Sequence, residues 1–265
     1  MKILSRCYTL NRFIDTKVLT LVYFCRLMKL KYKRVILKLS GEFIGGKQGF
    51  GIDHKILGML AEEIKKLKKH KVELAIVVGG GNIFRGKLAD EMGIERASAD
   101  YMGMIGTIIN ALALQNSLEA LKVDTRVMSS LNIPEVAEPY IRRKAISHLE
   151  KDRIVIFGGG TGNPFFTTDT TSALRAAEMD CSIIYMAKNG VDGVYDKDPK
   201  TNSDAVKYLT LTHEDILKNG LHVMDSTAAA LCNDNNIDIC VFDMNVDGNI
   251  KRAILGENIG TMIRK

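Results

Sequence analysis

The sequence predicts an α/β protein with a central, mostly parallel sheet covered by helices on both faces, a three-layer αβα sandwich. Short apolar runs alternate with amphipathic helical patterns along most of the chain, and such runs are typical of parallel strands buried on both faces. Three of the runs end in glycine-containing turns, as strands do when they lead into a ligand crevice. A chain of 265 residues is long enough to bury a sizeable core.

The first half of the chain supplies four predicted strands and three predicted helices. Asp53 is expected to cap a helix whose apolar residues recur every three or four positions from Ile56 to Leu67. A longer helical pattern runs from about 100 to 121, and a short one from 145 to 150. The predicted strands are 35–39, 74–78, 126–128 and 154–157.

The second half repeats this alternation. Strands are expected at 183–186 and 239–242, followed by a last helix–strand pair. The predicted helices are about 170–179, 214–218 and 226–233. Because neither a solenoid-type repeat nor a Pro/Ser-rich linker interrupts the pattern, residues 28–265 are expected to form a single domain.

Basic charge is concentrated near the N-terminus. The formal net charge is +6, of which +4 belongs to residues 1–27 and +2 to the remainder. A body this close to neutral argues against nucleic acid as the main ligand, and the apolar stretch 18–25 is too short to span a bilayer. We expect residues 1–27 to be an extension, either a start codon assigned too early or a disordered segment, with a transit peptide or surface-binding arm as the alternative.

The cysteines and histidines form no recognisable disulfide or metal pattern. The five cysteines contain no Cys-x-x-Cys pair, which fits a reducing, cytoplasmic compartment. Cys181, Cys232 and Cys240 lie in or beside apolar runs and are expected to be buried thiols. The five histidines show no ligand spacing. The sequence therefore predicts no protein-held metal.

The three glycine-containing turns, at 38–41, 79–86 and 158–163, carry the main functional signal. Backbone N–H groups in such turns, and the helix N-termini behind them, bind phosphate. Three turns in one chain indicate more than one phosphate group. The alternative is that they are tight strand-to-helix turns without a ligand.

Two familiar phosphate motifs fail on inspection. Segment 41–47 has most of the spacing of a P-loop, but Gln48 stands where Ser or Thr would coordinate Mg²⁺. The dinucleotide fingerprint requires a third glycine where Phe84 stands, although Asp100 lies near the distance expected for a ribose-binding acid. A Rossmann-type NAD-binding protein is therefore kept only as an alternative.

Five segments together resemble the bacterial UMP kinases, a branch of the amino acid kinase family. The likeness runs in a consistent order from about Met28 to the C-terminus, whereas residues 1–27 have no counterpart. The segments are Lys-Leu-Ser-Gly-Glu at 38–42, Gly-Gly-Gly-Asn-Ile-Phe-Arg-Gly at 79–86, Asp-Tyr-Met-Gly-Met at 100–104, Gly-Thr-Gly-Asn-Pro-Phe-Phe-Thr-Thr-Asp at 160–169 and Val-Asp-Gly-Val-Tyr at 191–195.

The resemblance implies an amino acid kinase-like fold and transfer of the γ-phosphoryl of Mg·ATP to UMP, giving UDP and ADP for pyrimidine nucleotide synthesis. It also implies a cytoplasmic homohexamer that GTP activates and UTP inhibits. The UMP-binding half would span about 28–175 and the ATP-binding half about 176–265. Two alternatives stay open: a family member acting on a carboxylate or carbamate, and a non-catalytic nucleotide- or RNA-binding protein.

The resemblance further implies the site residues. Catalysis would fall to Lys38, Arg85 and Asp169; Asp169 could serve as a helix N-cap at the same time, and the role of Lys188 stays open. ATP would be held by Lys38, Leu39, Ser40, Gly41, Gly81 and Arg85, with Asn189, Tyr195 and Asp198 on the adenosine side. UMP would be held by Gly80, Asp100, Thr161, Gly162, Asn163, Pro164, Phe165, Phe166, Thr167 and Thr168. GTP would contact the turn formed by Gly46, Lys47, Gln48, Gly49, Phe50 and Gly51. Mg²⁺ would arrive with ATP.

Overall fold

A computed structural model describes residues 30–265 except Lys200 and His222. The predicted extension, residues 1–27, lies outside the described residues. Within them a nine-stranded sheet is flanked by helices on both faces, which confirms the predicted three-layer αβα sandwich. No helix in this part of the chain is long and apolar enough to cross a membrane.

Among the described residues, the main sheet consists of nine strands, all but one pair of them parallel. Their bounds are β1 (Arg34–Leu39), β2 (Glu73–Val78), β3 (Thr125–Ser129), β4 (Glu138–Pro139), β5 (Ile154–Gly158), β6 (Ile183–Lys188), β9 (Thr210–Thr212), β10 (Asp238–Asp243) and β11 (Thr261–Arg264), and a separate antiparallel pair consists of β7 (Val194–Tyr195) and β8 (Lys207–Tyr208). In space the order is β4-β3-β5-β2-β1-β6-β10-β11-β9. Every neighbouring pair is parallel except β10 and β11.

Helices cover the sheet on two sides. Their bounds are α1 (Gly41–Ile44), α2 (His54–Leu67), α3 (Gly86–Glu91), α4 (Arg96–Ala120), α5 (Arg142–Glu150), α6 (Thr168–Glu178), α7 (His213–Asn219), α8 (Ser226–Asp234) and α9 (Asn249–Ile254). The apolar faces of α2, α4 and α9 pack in one core cluster. Those of α5, α6, α7 and α8 pack in the other.

The alternation of β1 decides which side of the sheet receives its one lysine. Val35, Leu37 and Leu39 belong to the cluster under α2, α4 and α9, whereas Ile36 belongs to the cluster under α6 and α8. Successive side chains of a strand point to opposite faces. Lys38 therefore shares the face of Ile36 and lies toward α6.

Helix α2 starts as predicted, whereas α4 and α5 start earlier, α5 at Arg142 where 145 was predicted. Asp53 caps α2, because its Oδ1 accepts a hydrogen bond from the N–H of Lys55 at 2.8 Å. Helix α4 begins at Arg96, four residues before the predicted start, so that Asp100 lies one turn inside the helix. The added turn has good helix formers and buries Ala99.

The three described cysteines are buried free thiols, as predicted. Burial raises the pKa of Cys181, Cys232 and Cys240 to about 12. Since the thiolate is the reactive form, these side chains act as core residues.

His213, the first residue of α7, gives the fold a predicted pH dependence. Its ring is 1% exposed, and burial lowers its pKa, opposed by the carboxylate of Asp238. Because the unfolded chain then binds the proton more readily, the contribution of His213 is complete above about pH 6.5 and is lost as the pH falls. In urea unfolding at pH 7.5 and 5.5, we expect His213→Gln to show a smaller loss of stability on acidification than the wild type. The exposed His54, changed to Gln, is the control and should leave that loss unaltered.

Candidate active site

The turns that follow β1, β2 and β5 lie side by side at one edge of the sheet. The three strands are adjacent in the order β5-β2-β1 and run parallel, so their carboxyl ends meet there. Strand β6 is the next neighbour of β1 and ends at the same edge. Ligands of open α/β sheets bind in the crevice beyond this edge.

Two of the turns approach each other so closely that only glycine fits. A Cβ atom on Gly41 would lie 2.6 Å from the carbonyl oxygen of Gly79, and a Cβ atom on Gly80 would lie 2.5 Å from that of Gly103 in α4. The N–H of Gly79 in turn donates to the carbonyl of Leu39 at 2.9 Å. These glycines therefore allow the turns to close against each other and against α4.

A buried pair of asparagines, which the sequence analysis did not single out, holds the second turn in place. The side-chain amides of Asn82 and Asn110 bond each other reciprocally at 3.0 and 2.7 Å. Asn110 also donates to the carbonyl of Gly79 at 2.7 Å, and Asn82 donates to that of Gly51 at 2.6 Å. The signal available in the sequence was Asn110 itself, a polar residue between the apolar residues of α4.

Lys38 and Asp169 form an ion pair in the crevice. Lys38 Nζ lies 2.9 Å from Asp169 Oδ1, and the two side chains are only 12% and 16% exposed. Asp169 is not the helix N-cap: Thr167 fills that position, its Oγ1 accepting from the N–H groups of Asp169 and Thr170. Asp169 instead lies in the first turn of α6, where a negative charge is favoured by the helix dipole.

Asp225 is a second carboxylate at this place that the sequence analysis missed. Its Oδ2 accepts hydrogen bonds from the hydroxyls of Thr167 and Thr170, the latter at 2.9 Å. Its Oδ1 caps α8 by accepting from Ala228 N–H at 2.8 Å. Asp225 therefore ties the start of α6 to the start of α8, a contact that is distant in sequence.

Lys188, at the end of β6, is a largely buried cation beside the ion pair. Its Nζ donates to the carbonyl of Val223 at 2.7 Å. Burial lowers the pKa of Lys188, the charge of Asp169 opposes this effect, and the charge of Lys38 adds to it. Lys188 is thus not a solvated loop lysine; it lies within electrostatic reach of both members of the pair.

The first of two cavities at this edge has a volume of about 230 Å³ and lies between α4 and the start of α6. Asp100 lines it, and its Oδ2 accepts from the N–H of Phe165 at 2.7 Å. Phe165 has a φ of 73°, a left-handed conformation that Asp100 helps to hold. Of the residues that the resemblance assigns to UMP, the lining includes Gly80, Asp100, Asn163, Phe166, Thr167 and Thr168.

The second cavity, of about 460 Å³, lies beyond the ends of β6 and β10. Lys188, Tyr195 and Asp198 line it together with apolar side chains that include Val191, Leu221 and Val223. Asn189, assigned to the adenosine side by the resemblance, is not in this lining. It is exposed and its Oδ1 accepts from Asn245 Nδ2 at 3.0 Å.

Arg85 lies at the rim of the crevice, 53% exposed. Its Nη2 lies 3.3 Å from Glu42 Oε1, and its guanidinium also donates to the carbonyls of Gly81 and Gly49 at 3.1 and 3.4 Å. Arg85 therefore connects the second glycine turn with the turn at 46–51.

The turn at 46–51 is a short 3₁₀ segment, Gly46–Gln48, followed by Gly49 and Gly51 at positive φ, and it ends before α2. Helix α1 starts directly after β1, so no helix begins at the position a P-loop requires.

The remaining residues assigned to ATP lie at the end of β1 and in the turn behind it. Leu39 is fully buried in the core and has only main-chain atoms to offer a ligand, its carbonyl being bonded to Gly79. Ser40 precedes α1 in extended conformation.

Glycine turns, two largely buried lysines and a carboxylate at the carboxyl edge of a parallel sheet have the form of a phosphoryl-transfer site, where positioning and charge neutralisation do most of the catalysis. The chain belongs to the amino acid kinase family, whose sequence model matches residues 33–243. It is therefore an enzyme of the kinase class. The Rossmann-type and non-catalytic alternatives lose their support.

Solved structures show which members of the family this chain is similar to. UMP kinase from Bacillus anthracis is 46% identical over 88% of this chain and 96% of its own, with a TM-score of 0.86. UMP kinase from Ureaplasma parvum is 41% identical over 89% and 100%, with a TM-score of 0.84. Uridylate kinase from Archaeoglobus fulgidus is 29% identical over 86% and 99%, with a TM-score of 0.67. The resemblance to UMP kinases inferred from short segments is thereby confirmed.

Proposed function

We propose that this enzyme transfers the γ-phosphoryl of ATP to UMP, giving UDP and ADP in pyrimidine nucleotide synthesis. The observation that carries the proposal is the Lys38–Asp169 pair, which has a neighbouring residue in the lining of each cavity. Thr168, next to Asp169, lines the smaller cavity. Lys188, whose pKa is affected by the charges of both Asp169 and Lys38, lines the larger one. Two anionic substrates placed in these cavities would meet at the pair. The similarity to UMP kinases of two bacterial species supports UMP as the acceptor.

The smaller cavity is the proposed UMP site. Asp100 can accept a hydrogen bond from a ribose hydroxyl, while the glycine turn at 79–81 and the N-terminus of α6 offer N–H groups to the phosphate. Asn163, Phe166, Thr167 and Thr168 line the side opposite α4, whereas Thr161, Gly162, Pro164 and Phe165 are not in the lining. These features suit a small phosphorylated ribonucleoside better than a carboxylate or carbamate, which would have no use for Asp100.

Asp100→Ala is expected to raise the KM for UMP by at least about tenfold, because a charged hydrogen bond is lost and the Phe165 N–H loses its acceptor. The KM for ATP should remain near the wild-type value. Steady-state kinetics with each substrate varied in turn measures both. Glu95→Ala, an exposed carboxylate at the start of the same helix that caps nothing, is the matched control; an unchanged KM for UMP in Asp100→Ala would remove Asp100 from the acceptor site.

The larger cavity is the proposed ATP site. Its volume of about 460 Å³ falls in the range usual for small-molecule sites. Apolar side chains, among them Val191 and Leu221, can pack on the adenine, and Asp198 and Tyr195 lie at the side where the adenosine would sit. The first cavity is lined only by residues 80–168 and the second only by residues 188–241, which supports the proposed division into a UMP half and an ATP half.

The proposed reaction needs no general base. An ionised oxygen of the UMP phosphate attacks the γ-phosphorus of ATP, the bond from that phosphorus to the β,γ-bridging oxygen breaks, and ADP departs with the electron pair. Lys38 and Lys188 offset the charge of the two anions, Arg85 adds a cation at the rim, and Asp169 orients Lys38.

Mg²⁺ would enter bound to the ATP phosphates and supply further charge neutralisation. Among the described residues, no cluster of three or more His, Cys, Asp or Glu side chains is placed to hold a metal ion. Mg²⁺ usually keeps several waters and takes one or two carboxylates plus substrate phosphates. Asp169, in the first turn of α6, and Asp225, which is hydrogen-bonded to the start of that helix, are the side chains that fit this demand.

Regulation and assembly form the finer part of the proposal. GTP would activate through the turn Gly46–Gly51, which is bonded to the nucleotide-binding edge through Asn82 and Arg85; UTP would inhibit. A homohexamer is supported by an exposed apolar stripe on α4 formed by Tyr101, Ile105 and Ile109, each more than 40% exposed. The buried free thiols fit a reducing cytoplasm.

A product analysis tests the proposed reaction. The protein is incubated with Mg²⁺, UMP and ATP labelled in the γ-phosphate, and the nucleotides are separated. We expect the label in the β-phosphate of UDP. Label released only as inorganic phosphate, or found on no nucleotide but ATP, would contradict the proposal.

A further inference from the structure

The loop after β5 contributes Asn163 to the lining of the proposed UMP cavity, and its backbone conformation is unusual. Gly159, Gly160 and Gly162 all have positive φ, at 77°, 58° and 87°. On the α4 side, the N–H of Gly159 donates to Thr107 Oγ1 at 2.8 Å. A loop built from glycines in these conformations has few side-chain anchors of its own, so its shape depends on contacts from neighbouring elements.

A chain of hydrogen bonds from α6 holds the other side of this loop. Ser130 Oγ donates to the carbonyl of Gly160 at 2.8 Å, and Arg175 Nη2 donates to Ser130 Oγ at 2.7 Å. A Cβ atom on Gly162 would lie 3.2 Å from Ser130 Cβ, so the loop packs directly on this serine.

Arg175 is itself held by a hydrogen-bonded ion pair and by an aromatic ring. The residue is only 3% exposed, its Nη1 donates to Glu178 Oε2 at 2.5 Å, and its guanidinium carbon lies 3.7 Å from the centre of the Tyr140 ring. Tyr140 closes the cluster by donating to the same Glu178 oxygen at 2.6 Å. A guanidinium held this firmly has one direction left for Nη2, toward Ser130.

We propose that Arg175 and Ser130 are positioning residues for the acceptor: through the Gly160 carbonyl they set the place of the segment from Thr161 to Asn163 against UMP. This inference rests on the proposed function. Neither residue lines the proposed UMP cavity; both line a separate cavity of about 310 Å³ on the far side of the loop. They act through the loop and do not touch the nucleotide.

Ser130→Ala tests the proposed positioning role by removing a single hydroxyl group. The expected result is a KM for UMP raised about tenfold, with the KM for ATP within about twofold of wild type, because the donor cavity lies in the other half. Ser117→Ala, which removes a similar serine-to-carbonyl bond on α4 at 3.1 Å, should change neither constant. Arg175→Met should reproduce the effect of Ser130→Ala, and the double variant should be no worse than the stronger single one, since both break the same chain.

Amide hydrogen exchange separates this inference from the proposed function. In the unliganded protein, Ser130→Ala should speed exchange at 160–163 relative to Ser117→Ala, whatever the substrate. Unchanged exchange together with an unchanged KM for UMP would overturn the positioning role of Ser130 and Arg175. Equal increases in the KM values for UMP and ATP would also overturn it. A wild-type protein that makes no UDP would overturn the proposed function, and exchange at the loop would still decide whether Ser130 positions it.

Discussion

Lys38→Ala is expected to lower kcat by a factor on the order of 10² to 10³, the loss usual for one preorganised charge-stabilising group. Lys38 lies near the carboxyl end of β1 on the α6 side of the sheet, 2.9 Å from Asp169 and largely shielded from water. Removing it would leave Asp169 as an uncompensated negative charge where two phosphates must meet. Steady-state kinetics at saturating ATP and UMP measures the effect.

Lys33→Ala is the matched control for this variant. Lys33 lies just before the other end of β1, is 79% exposed and pairs with Glu73, so its loss should change kcat by no more than about twofold. Turnover of Lys38→Ala close to that of Lys33→Ala would show that Lys38 is not part of the reaction centre.

Asp169→Asn is expected to lower kcat on the order of 10²-fold. The substitution keeps the shape of the side chain and removes the charge that orients Lys38 and raises the pKa of Lys188. Without that carboxylate, the pKa of Lys188 falls further below its usual range. The alkaline limb of the kcat profile should therefore move to lower pH, since Lys188 would lose its proton sooner.

The control for Asp169→Asn is Asp180→Asn, just beyond the other end of α6. Asp180 pairs with Arg142 at 2.6 Å but is 73% exposed, so neither kcat nor its pH profile should change. If Asp169→Asn lowered kcat without moving the alkaline limb, Lys188 would not be a cation on which turnover depends.

The strands and long helices of this fold could be predicted because each carries its own period. The continuous apolar runs of β2 and β5 and the 3.6-residue pattern of α2 are local properties of the sequence, and all three elements lie where the pattern put them. The short strands β4 and β9 and the β7–β8 pair were not predicted. Two or three residues contain no period, and these strands exist because a neighbouring strand offers free hydrogen-bonding groups.

The site, like the fold, contains some features that could be predicted from the sequence and others that could not. The glycine turns are visible in sequence because each follows directly on an apolar run. Asp225 and the Asn82–Asn110 pair were missed because their partners lie far away in the chain: Asp225 reaches Thr170, 55 residues earlier, and Asn110 reaches Gly79, 31 residues earlier. The N-cap role considered for Asp169 beside its proposed catalytic one was wrong, because Thr167, two residues before it, offers a hydroxyl at the cap position.

The most direct test of the central claim is an ADP-release assay with Mg²⁺ and ATP in which UMP, CMP, AMP, glutamate and carbamate are compared as acceptors at matched concentrations. The account predicts the highest kcat/KM for UMP. It also predicts that Asp100→Ala reduces this preference while Glu95→Ala does not. A higher kcat/KM for glutamate, carbamate or another nucleotide would contradict the assignment of UMP as the acceptor.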